Sequence, residues 1–208
     1  KYPQAVPLIY AIDKEYCIGC GICQGVCKAK AIDYNLKDKK TDLSVGAVIL
    51  AIGFDEFEPE SLTHYGFGNY NNVVTSIQFE RILSASGPFA GKVLRPSDGK
   101  TPKKVAFLQC VGSRDDHHGQ EYCSSVCCMY TCKEAVIAKE HMEGLEPTIF
   151  SMDVRAYGKD FDKYVERAKD EYGVRYIRSR ISSIKEVSDS KDLRLTYEAE
   201  DGSIIQED

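Results

Sequence analysis

Nine cysteines fall into two groups separated by long stretches without any. The first group is Cys17, Cys20, Cys23 and Cys27, in "CIGCGICQGVC". Its spacing, Cys-x2-Cys-x2-Cys-x3-Cys, is the bacterial-type run for a 4Fe-4S cluster. The chemistry explains the spacing. Successive thiolates must point inward from a chain wrapped tightly around a cube, with backbone N–H groups aimed at the sulfides. Gly19 and Gly21 let the backbone come close. A zinc knuckle and chance spacing are the alternatives, but a third cysteine two residues on does not suit the paired spacing of zinc ribbons. The usual run ends in Cys-Pro, whereas Lys28 follows Cys27 here. In two-cluster ferredoxins the fourth cysteine serves the other cluster. On that scheme Cys17, Cys20 and Cys23 share one cluster with a distant cysteine. Cys27 then reaches a second cluster whose other ligands lie upstream of Lys1.

The second group is Cys110, Cys123, Cys127, Cys128 and Cys132, four of them within "YCSSVCCMYTC". Cys110 closes an apolar run, "KVAFLQC", that reads as a strand entering the glycine-containing turn "VGSRDD". A strand end followed by a helix start is where nucleotide-binding α/β units place their ligand. With a helix from Ser124 onward, Cys123 and Cys127 share one side and Cys128 and Cys132 form a second pair, about 100° away. Thiolates near a helix N-terminus are favoured by its positive end. Cys110, Cys123, Cys127 and Cys128 can therefore converge on one metal centre. Cys132, a turn deeper, is expected to pack as a small hydrophobe. Inert buried thiols are the alternative for the whole group. His117 and His118 read as residues of a solvated loop, and no general acid or base stands out.

The elements that must position these groups follow from periodicity and punctuation. "GAVILAIGF" reads as a buried strand meeting a tight turn. "TSIQFERILSASG" reads as a helix capped by Thr75 with Gln78, with Ile77, Ile82 and Leu83 on one face and Gly87 at its end. "GPFAGKVLRPSDGKTPKK", rich in Gly, Pro and Lys, reads as a linker or an exposed connection. From Lys103 the order is strand ("KVAFLQC"), helix (Ser124 to about Met142, ended by Gly144), then strand ("EPTIFSMDV"). A second helix follows, with Phe161, Tyr164, Val165, Ala168 and Tyr172 at helical spacing and Gly173 as its stop. Alternating strand and helix implies a parallel sheet. "VRYIRSRISSIKEV", "DLRLTYEAED" and "SIIQED" read as an antiparallel meander. The fold class is α/β.

The bulk properties narrow the function. The chain has 208 residues, 43% apolar and 28% charged, ordinary for a globular protein with one or two cores. With 27 basic against 32 acidic residues the net charge is −5, which offers no footprint for nucleic acid. No apolar run has the length of a membrane span, and no stretch reads as a signal peptide. A cytoplasmic protein with reduced, metal-holding thiols is expected rather than a disulfide scaffold. The chain starts at Lys1 and ends in "GSIIQED", which reads as a piece of a longer protein.

"QCVGSRD…YCSSVCCMYT" followed by "FSMDVRAYGKDFDKYVERAKDEYGVRYIRSRISSI" closely resembles the A subunit of heterodisulfide reductases, as does "YPQAVPLIYAIDKEYCIGCGICQGVCKAKAID" before "VGAVILAIGFDEFEP". The resemblance covers essentially the whole chain. It implies an iron–sulfur flavoprotein with a three-layer thioredoxin-reductase-like core, carrying FAD and several 4Fe-4S clusters. It also implies flavin-based electron bifurcation in the intact complex. The expected partners are other heterodisulfide reductase-type subunits and a hydrogenase, dehydrogenase or ferredoxin, with a homodimer left open. The family's Cys-x(n)-Cys-x3-Cys-Cys pattern falls on Cys110, Cys123, Cys127 and Cys128, and its ferredoxin-like insert on Cys17 to Cys27. The family has an alanine-like residue where Cys132 stands. "VILAIGF" resembles the segment that closes the FAD domain, which puts Ala51 and Gly53 near flavin, with Ile52 in place of a threonine. No GxGxxG is present, so the flavin fingerprint is expected upstream. The implied organisation is a partial ferredoxin-like segment over 1–40 and the end of a flavin domain with its linker over 41–100. A pyridine-nucleotide-like domain, whose phosphate loop has become a cluster loop, covers 103–208. Two other readings keep the composition but not the clusters: a nucleotide-binding or scaffold module with structural thiols, and a dithiol–disulfide oxidoreductase.

Overall fold

The structure, a computed structural model, describes residues 12–37 and 40–208. The "YPQAVPLIYA" that opens the resemblance, and Asp38 and Lys39 of the charged "KDKK", lie outside the described residues. The chain divides into two compact units, residues 1–54 and 55–208. Residues 55–100 therefore fold with the region from Lys103 onward.

In the first unit the one described helix is α1, Ile22–Val26, between Gly21 and Cys27. "GAVILAIGF" is not a strand. Its residues run without pairing, and Val48, Ile49, Leu50 and Ile52 are exposed. The apolar run supplies strand propensity, but a strand also needs a neighbour for its N–H and C=O groups. Among the described residues none pairs with this one. The turn expected at its end is present, since Gly53 has φ 80°.

The second unit carries a mixed α/β fold. Strands β1 (Lys104–Leu108), β2 (Glu146–Ser151) and β3 (Arg175–Arg178) form a parallel sheet in that order. Val105 pairs with Pro147 and Phe107 with Ile149, and Ile149 in turn with Tyr176. Helices α3 (Cys127–His141) and α4 (Phe161–Asp170) make the crossovers. β4 (Ile181–Glu186), β5 (Leu193–Glu198) and β6 (Ile204–Glu207) form an antiparallel meander. "VRYIRSRISSIKEV", expected as its first strand, is divided, Arg175–Arg178 pairing parallel to β2 as β3 and only Ile181–Glu186 joining the meander.

The two-residue period of β1 divides the core. Val105 and Phe107 join Ile149, Cys132, Ala135, Val165 and Ala168 on the helical side. Ala106 and Leu108 join Phe150, Ile181, Ile184 and Tyr197 on the side of the meander. A parallel sheet is thus covered on both faces, as such sheets require. Glu207 ties the two sheets together at one corner. Lys104 Nζ lies 3.1 Å from it, Arg175 Nη1 3.3 Å, and the Tyr197 hydroxyl 3.2 Å.

The cap of α2, Ser76–Leu83, is the capping box expected from Thr75 and Gln78, with both reciprocal bonds present. Glu56 reinforces it, accepting from Thr75 Oγ1 at 3.3 Å and from the Ile77 N–H at 3.5 Å. The buried face differs from expectation. Phe79, Ile82 and Leu83 are buried and Ile77 is exposed. Five residues separate Ile77 from Ile82, which sets them about 140° apart around the helix. Phe79 is three and four residues from the other two and shares their face. The helix also stops before Gly87. Ser84 turns extended as the cap, and Gly87 closes the next turn by donating to Ser84 O at 2.8 Å. Gly173 ends α4 as expected, with φ 65° and its N–H on Lys169 O. Among the described residues no helix is long and apolar enough to cross a membrane.

Candidate metal centres

The second cysteine group lies at the carboxyl end of the parallel sheet, where β1 runs out and α3 begins. Gln109 still pairs, its N–H on Phe150 O at 3.0 Å. Cys110 then turns the chain with φ 58°. The loop folds back on itself. Asp115 and Gln120 exchange both backbone bonds, and the Arg114 N–H reaches Tyr122 O at 3.0 Å. Ser113 Oγ donates to Tyr122 O at 3.1 Å and accepts from the Ser124 N–H at 3.0 Å. This closure brings Cys123 back beside Ser113, and so toward Cys110. Cys110, Arg114 and Ser125 all hold left-handed backbone conformations, unfavourable for residues with a Cβ. Such residues gather where a site dictates the backbone. Gly112, with φ 63°, has the Phe57 ring laid on its α-carbon, where a Cβ would sit 2.1 Å from Phe57 Cγ.

Helix α3 starts at Cys127, later than Ser124. Ser125 is left-handed and cannot continue the helix backward. Cys123 is therefore not on the helix but in the turn before it. Cys127 and Cys128 are its first two residues, among the N–H groups with no helical partner. Cys110, Cys127 and Cys128 are buried and Cys123 partly so.

The three buried sulfurs are tied together by hydrogen bonds that meet at Cys127. Hydrogen bonds from the Cys110 and Cys128 thiols, with a further one from Ser124, hold the Cys127 thiol far below its ordinary range against the opposing effect of burial. The bond to Cys127, followed by burial, pushes Cys110 up, and the same two causes push Cys128 up. The field of Cys123 also reaches Cys128. Backbone donors face the sulfurs: Ser125 N–H to Cys123 Sγ and Arg155 N–H to Cys128 Sγ, each at 3.4 Å. Four thiols backed by N–H donors and a helix N-terminus are a donor set for a soft cationic centre. Among the described residues no three or more His, Cys, Asp or Glu side chains are arranged for a single metal ion.

Cys132 is fully buried among the core residues of α3, and burial pushes its thiol up. It packs as the small hydrophobe its position suggests. His118 Nδ1 lies 3.0 Å from Asp115 Oδ2, while His117 is exposed.

In the first unit, Gly19 and Gly21 have φ 70° and 74°, the conformation that carries the backbone around the thiols. Cys23 Sγ lies 3.2 Å from the Tyr34 hydroxyl. That bond pushes the Tyr34 hydroxyl up, and the fields of Cys23, Cys17 and Cys20 add to it. Cys27 makes a different bond, accepting from the Ala31 N–H at 3.4 Å. The sequence gives no sign of Tyr34, because nothing in a cysteine run marks which later side chain folds back on it. Ala51 and Gly53 lie in exposed backbone, with nothing within 4 Å of a Cβ built on Gly53.

Comparison with known proteins agrees with this donor chemistry. Residues 10–33, which include the whole first cysteine run, match the 4Fe-4S binding domain family. The chain is 46% identical to the A subunit of the H(2):CoB-CoM heterodisulfide,ferredoxin reductase of Methanothermobacter marburgensis, over 96% of the chain and 30% of that protein. It is 48% identical to the second of the iron-sulfur A subunits of the CoB--CoM heterodisulfide reductase of Methanopyrus kandleri, over 92% of the chain and 29% of the relative. A third relative, 42% identical over 91% of the chain and 24% of its own length, is the A subunit of the ferredoxin/F(420)H(2)-dependent CoB-CoM heterodisulfide reductase of Methanosarcina acetivorans. The chain spans at most 30% of the length of these relatives. Over that span, the chain belongs to the family of heterodisulfide reductase A subunits.

Proposed function

We propose that this chain is an electron-transfer part of an iron–sulfur flavoprotein of the heterodisulfide reductase A-subunit type, with Cys110, Cys123, Cys127 and Cys128 as the ligands of one 4Fe-4S cluster. The observation that carries the reading is the gathering of buried Cys110, Cys127 and Cys128 and part-buried Cys123 where β1 ends and α3 begins, with the Ser125 N–H on Cys123 Sγ and the Arg155 N–H on Cys128 Sγ. Cys17, Cys20 and Cys23 supply three ligands of a second cluster. Cys27 serves a further one, a division supported by the different bonds made by Cys23 to Tyr34 and by Cys27 to Ala31. A bound 4Fe-4S cluster accepts and releases single electrons with little movement of its ligands. The residues around the thiols do the rest. Burial excludes water from Cys110, Cys127 and Cys128, the Ser125 and Arg155 N–H groups orient the sulfurs of Cys123 and Cys128, and the left-handed turns at Cys110 and Ser125 shape the loop that carries them.

The finer features implied by family membership complete the proposal. The parallel sheet with its added meander corresponds to the nucleotide domain of a thioredoxin-reductase-like core. Ala51 and Gly53 approach FAD in the intact protein. The intact assembly couples its electron transfers by flavin-based bifurcation, with a ferredoxin, a hydrogenase or a dehydrogenase as electron partner. The names of the relatives, which include ferredoxin and F(420)H(2), support ferredoxin or F(420)H(2) as an electron partner.

Anaerobic reconstitution with iron and sulfide, followed by iron and acid-labile sulfide analysis, tests the reading. About four irons that are lost in Cys127→Ser support it. No iron on the wild-type chain overturns it in favour of structural thiols, and NAD(P)H binding by the same protein would then point to a nucleotide module.

A further inference from the structure

Beside the second cysteine group stands a set of charges from two separate loops. Arg114 follows β1, and Asp153 and Arg155 follow β2, so all three meet at the carboxyl end of the parallel sheet. Arg114 Nη1 lies 2.7 Å from Asp153 Oδ1. Arg155 grips the same carboxylate with Nε at 3.2 Å and Nη2 at 3.4 Å. Desolvation works against the charge on Asp153, but the bonds and charges of Arg155 and Arg114 outweigh it and hold the carboxyl below its usual range. The bond to Asp153 in turn pushes Arg155 up. Two cations and one anion are thus fixed in place, with one positive charge in excess.

This set is directed at the sulfurs. The backbone N–H of Arg155 donates to Cys128 Sγ at 3.4 Å. The charge of Arg114 reaches Cys110, and that of Cys123 reaches Arg155. Arg114 holds a left-handed conformation, φ 57°, which a non-glycine residue adopts only under constraint. Stability is a poor reason for such a device, because part-exposed ion pairs contribute little to it. The side chains of Arg114, Asp153 and Arg155 retain 24%, 44% and 31% of their exposure. A charge that is fixed, in excess and beside Cys110, Cys123, Cys127 and Cys128 has a clearer consequence. Adding an electron to a centre held there adds negative charge, and a neighbouring cation stabilises that state over the oxidised one.

We infer that the Arg114–Asp153–Arg155 clamp positions the N–H donor to Cys128 and raises the reduction potential of the centre held by Cys110, Cys123, Cys127 and Cys128. The inference rests on the ligand assignment proposed above, and its test separates the two.

The anaerobically reconstituted chain is titrated with reductant, and the EPR signal that disappears in Cys127→Ser is followed. Arg114→Gln and Arg155→Gln lower the midpoint potential, Asp153→Asn raises it, and Arg114→Lys, which keeps the charge, leaves it near the wild-type value. Each neutralisation shifts the reduction equilibrium several-fold, where tenfold is about 59 mV for one electron. Raising the salt concentration lowers the wild-type potential, because the excess charge is screened. This measurement needs no variant and decides the case should the variants fail to bind iron. Unchanged potentials in both Arg→Gln variants at full iron content, or a wild-type potential indifferent to salt, overturn the clamp while leaving the ligands in place. A wild-type chain that binds no iron overturns the ligand assignment itself, and the clamp with it.

Discussion

The thiols of the second group differ in what they touch, and this separates their roles. Cys127 is the sulfur on which Cys110 and Cys128 converge, whereas Cys132 faces the core. Cys110→Ser, Cys127→Ser and Cys128→Ser should each lose about four irons on anaerobic reconstitution, the content of one 4Fe-4S cluster. Cys132→Ser should retain iron and sulfide while lowering the thermal midpoint, since burying a hydroxyl in place of a thiol costs about 1–3 kcal/mol. Loss of iron in Cys132→Ser alone would invert the assignment. Gly112 offers a test of the loop backbone. Its φ of 63° and the Phe57 ring against it leave no room for a side chain. Gly112→Ala should destabilise by about 1–2 kcal/mol from the backbone conformation alone, and more from displacing the ring. Phe57→Ala in the Gly112→Ala background should restore the second part and not the first, as read by denaturant unfolding of the four-member mutant cycle. The motif "CVGS" makes a turn expected from sequence. That an aromatic from before α2 sits on it depends on long-range packing, which no local pattern encodes.

Helices α2 and α3 show what is legible at the level of elements. The capping box of α2 is legible because it is made within four residues, and its value should be ordinary. Thr75→Ala should cost about 1 kcal/mol, with a correspondingly lower thermal midpoint. The start of α3 is not legible, because Ser125 has no residue type that announces a left-handed turn, and that turn is imposed by the loop that gathers the thiols. The buried Glu134 on α3 is not legible either. It is 3% exposed, and its Oε2 has no hydrogen-bond partner among the described residues. Burial, helped by the charges of Glu80 on α2 and of Glu56 and opposed by Lys133, pushes its carboxyl from 4.5 up to about 8. Folded protein therefore holds this proton across a pH range in which unfolded protein has released it. Stability falls as pH rises from about 4.5 to about 8 and levels off above. Glu134→Gln should flatten that slope and melt higher than wild type at pH 8. A midpoint that falls equally in both proteins would mean the slope has another source.

At the scale of the molecule, both hydrophobic clusters lie entirely within residues 55–208. Across the described part of the first unit, by contrast, the large apolar side chains from Ile12 to Phe54 are exposed, apart from a half-buried Ile32. This contrast explains why the strand–helix order from Lys103 onward is readable while "GAVILAIGF" misleads. β1, β2 and β3 find their partners within the same unit, so local pattern and final structure agree. The apolar run at 46–54 carries the same pattern without a neighbouring strand among the described residues. It is a contiguous apolar stretch of the kind that marks an interaction surface or an aggregation liability. Replacing Ile49 and Leu50 with Lys should therefore reduce self-association of the purified chain in light scattering without altering its unfolding midpoint, because neither side chain contributes to a core. The same division makes the last prediction. A chain of residues 55–208 keeps every buried residue of both clusters and all of Cys110, Cys123, Cys127 and Cys128. It should unfold in one cooperative transition at the denaturant midpoint of the whole chain and take up about four irons on reconstitution, the content of one 4Fe-4S cluster. A lower midpoint would show that the first unit contributes stability that the packing does not reveal. An intact midpoint without iron would place the essential ligands among Cys17, Cys20, Cys23 and Cys27.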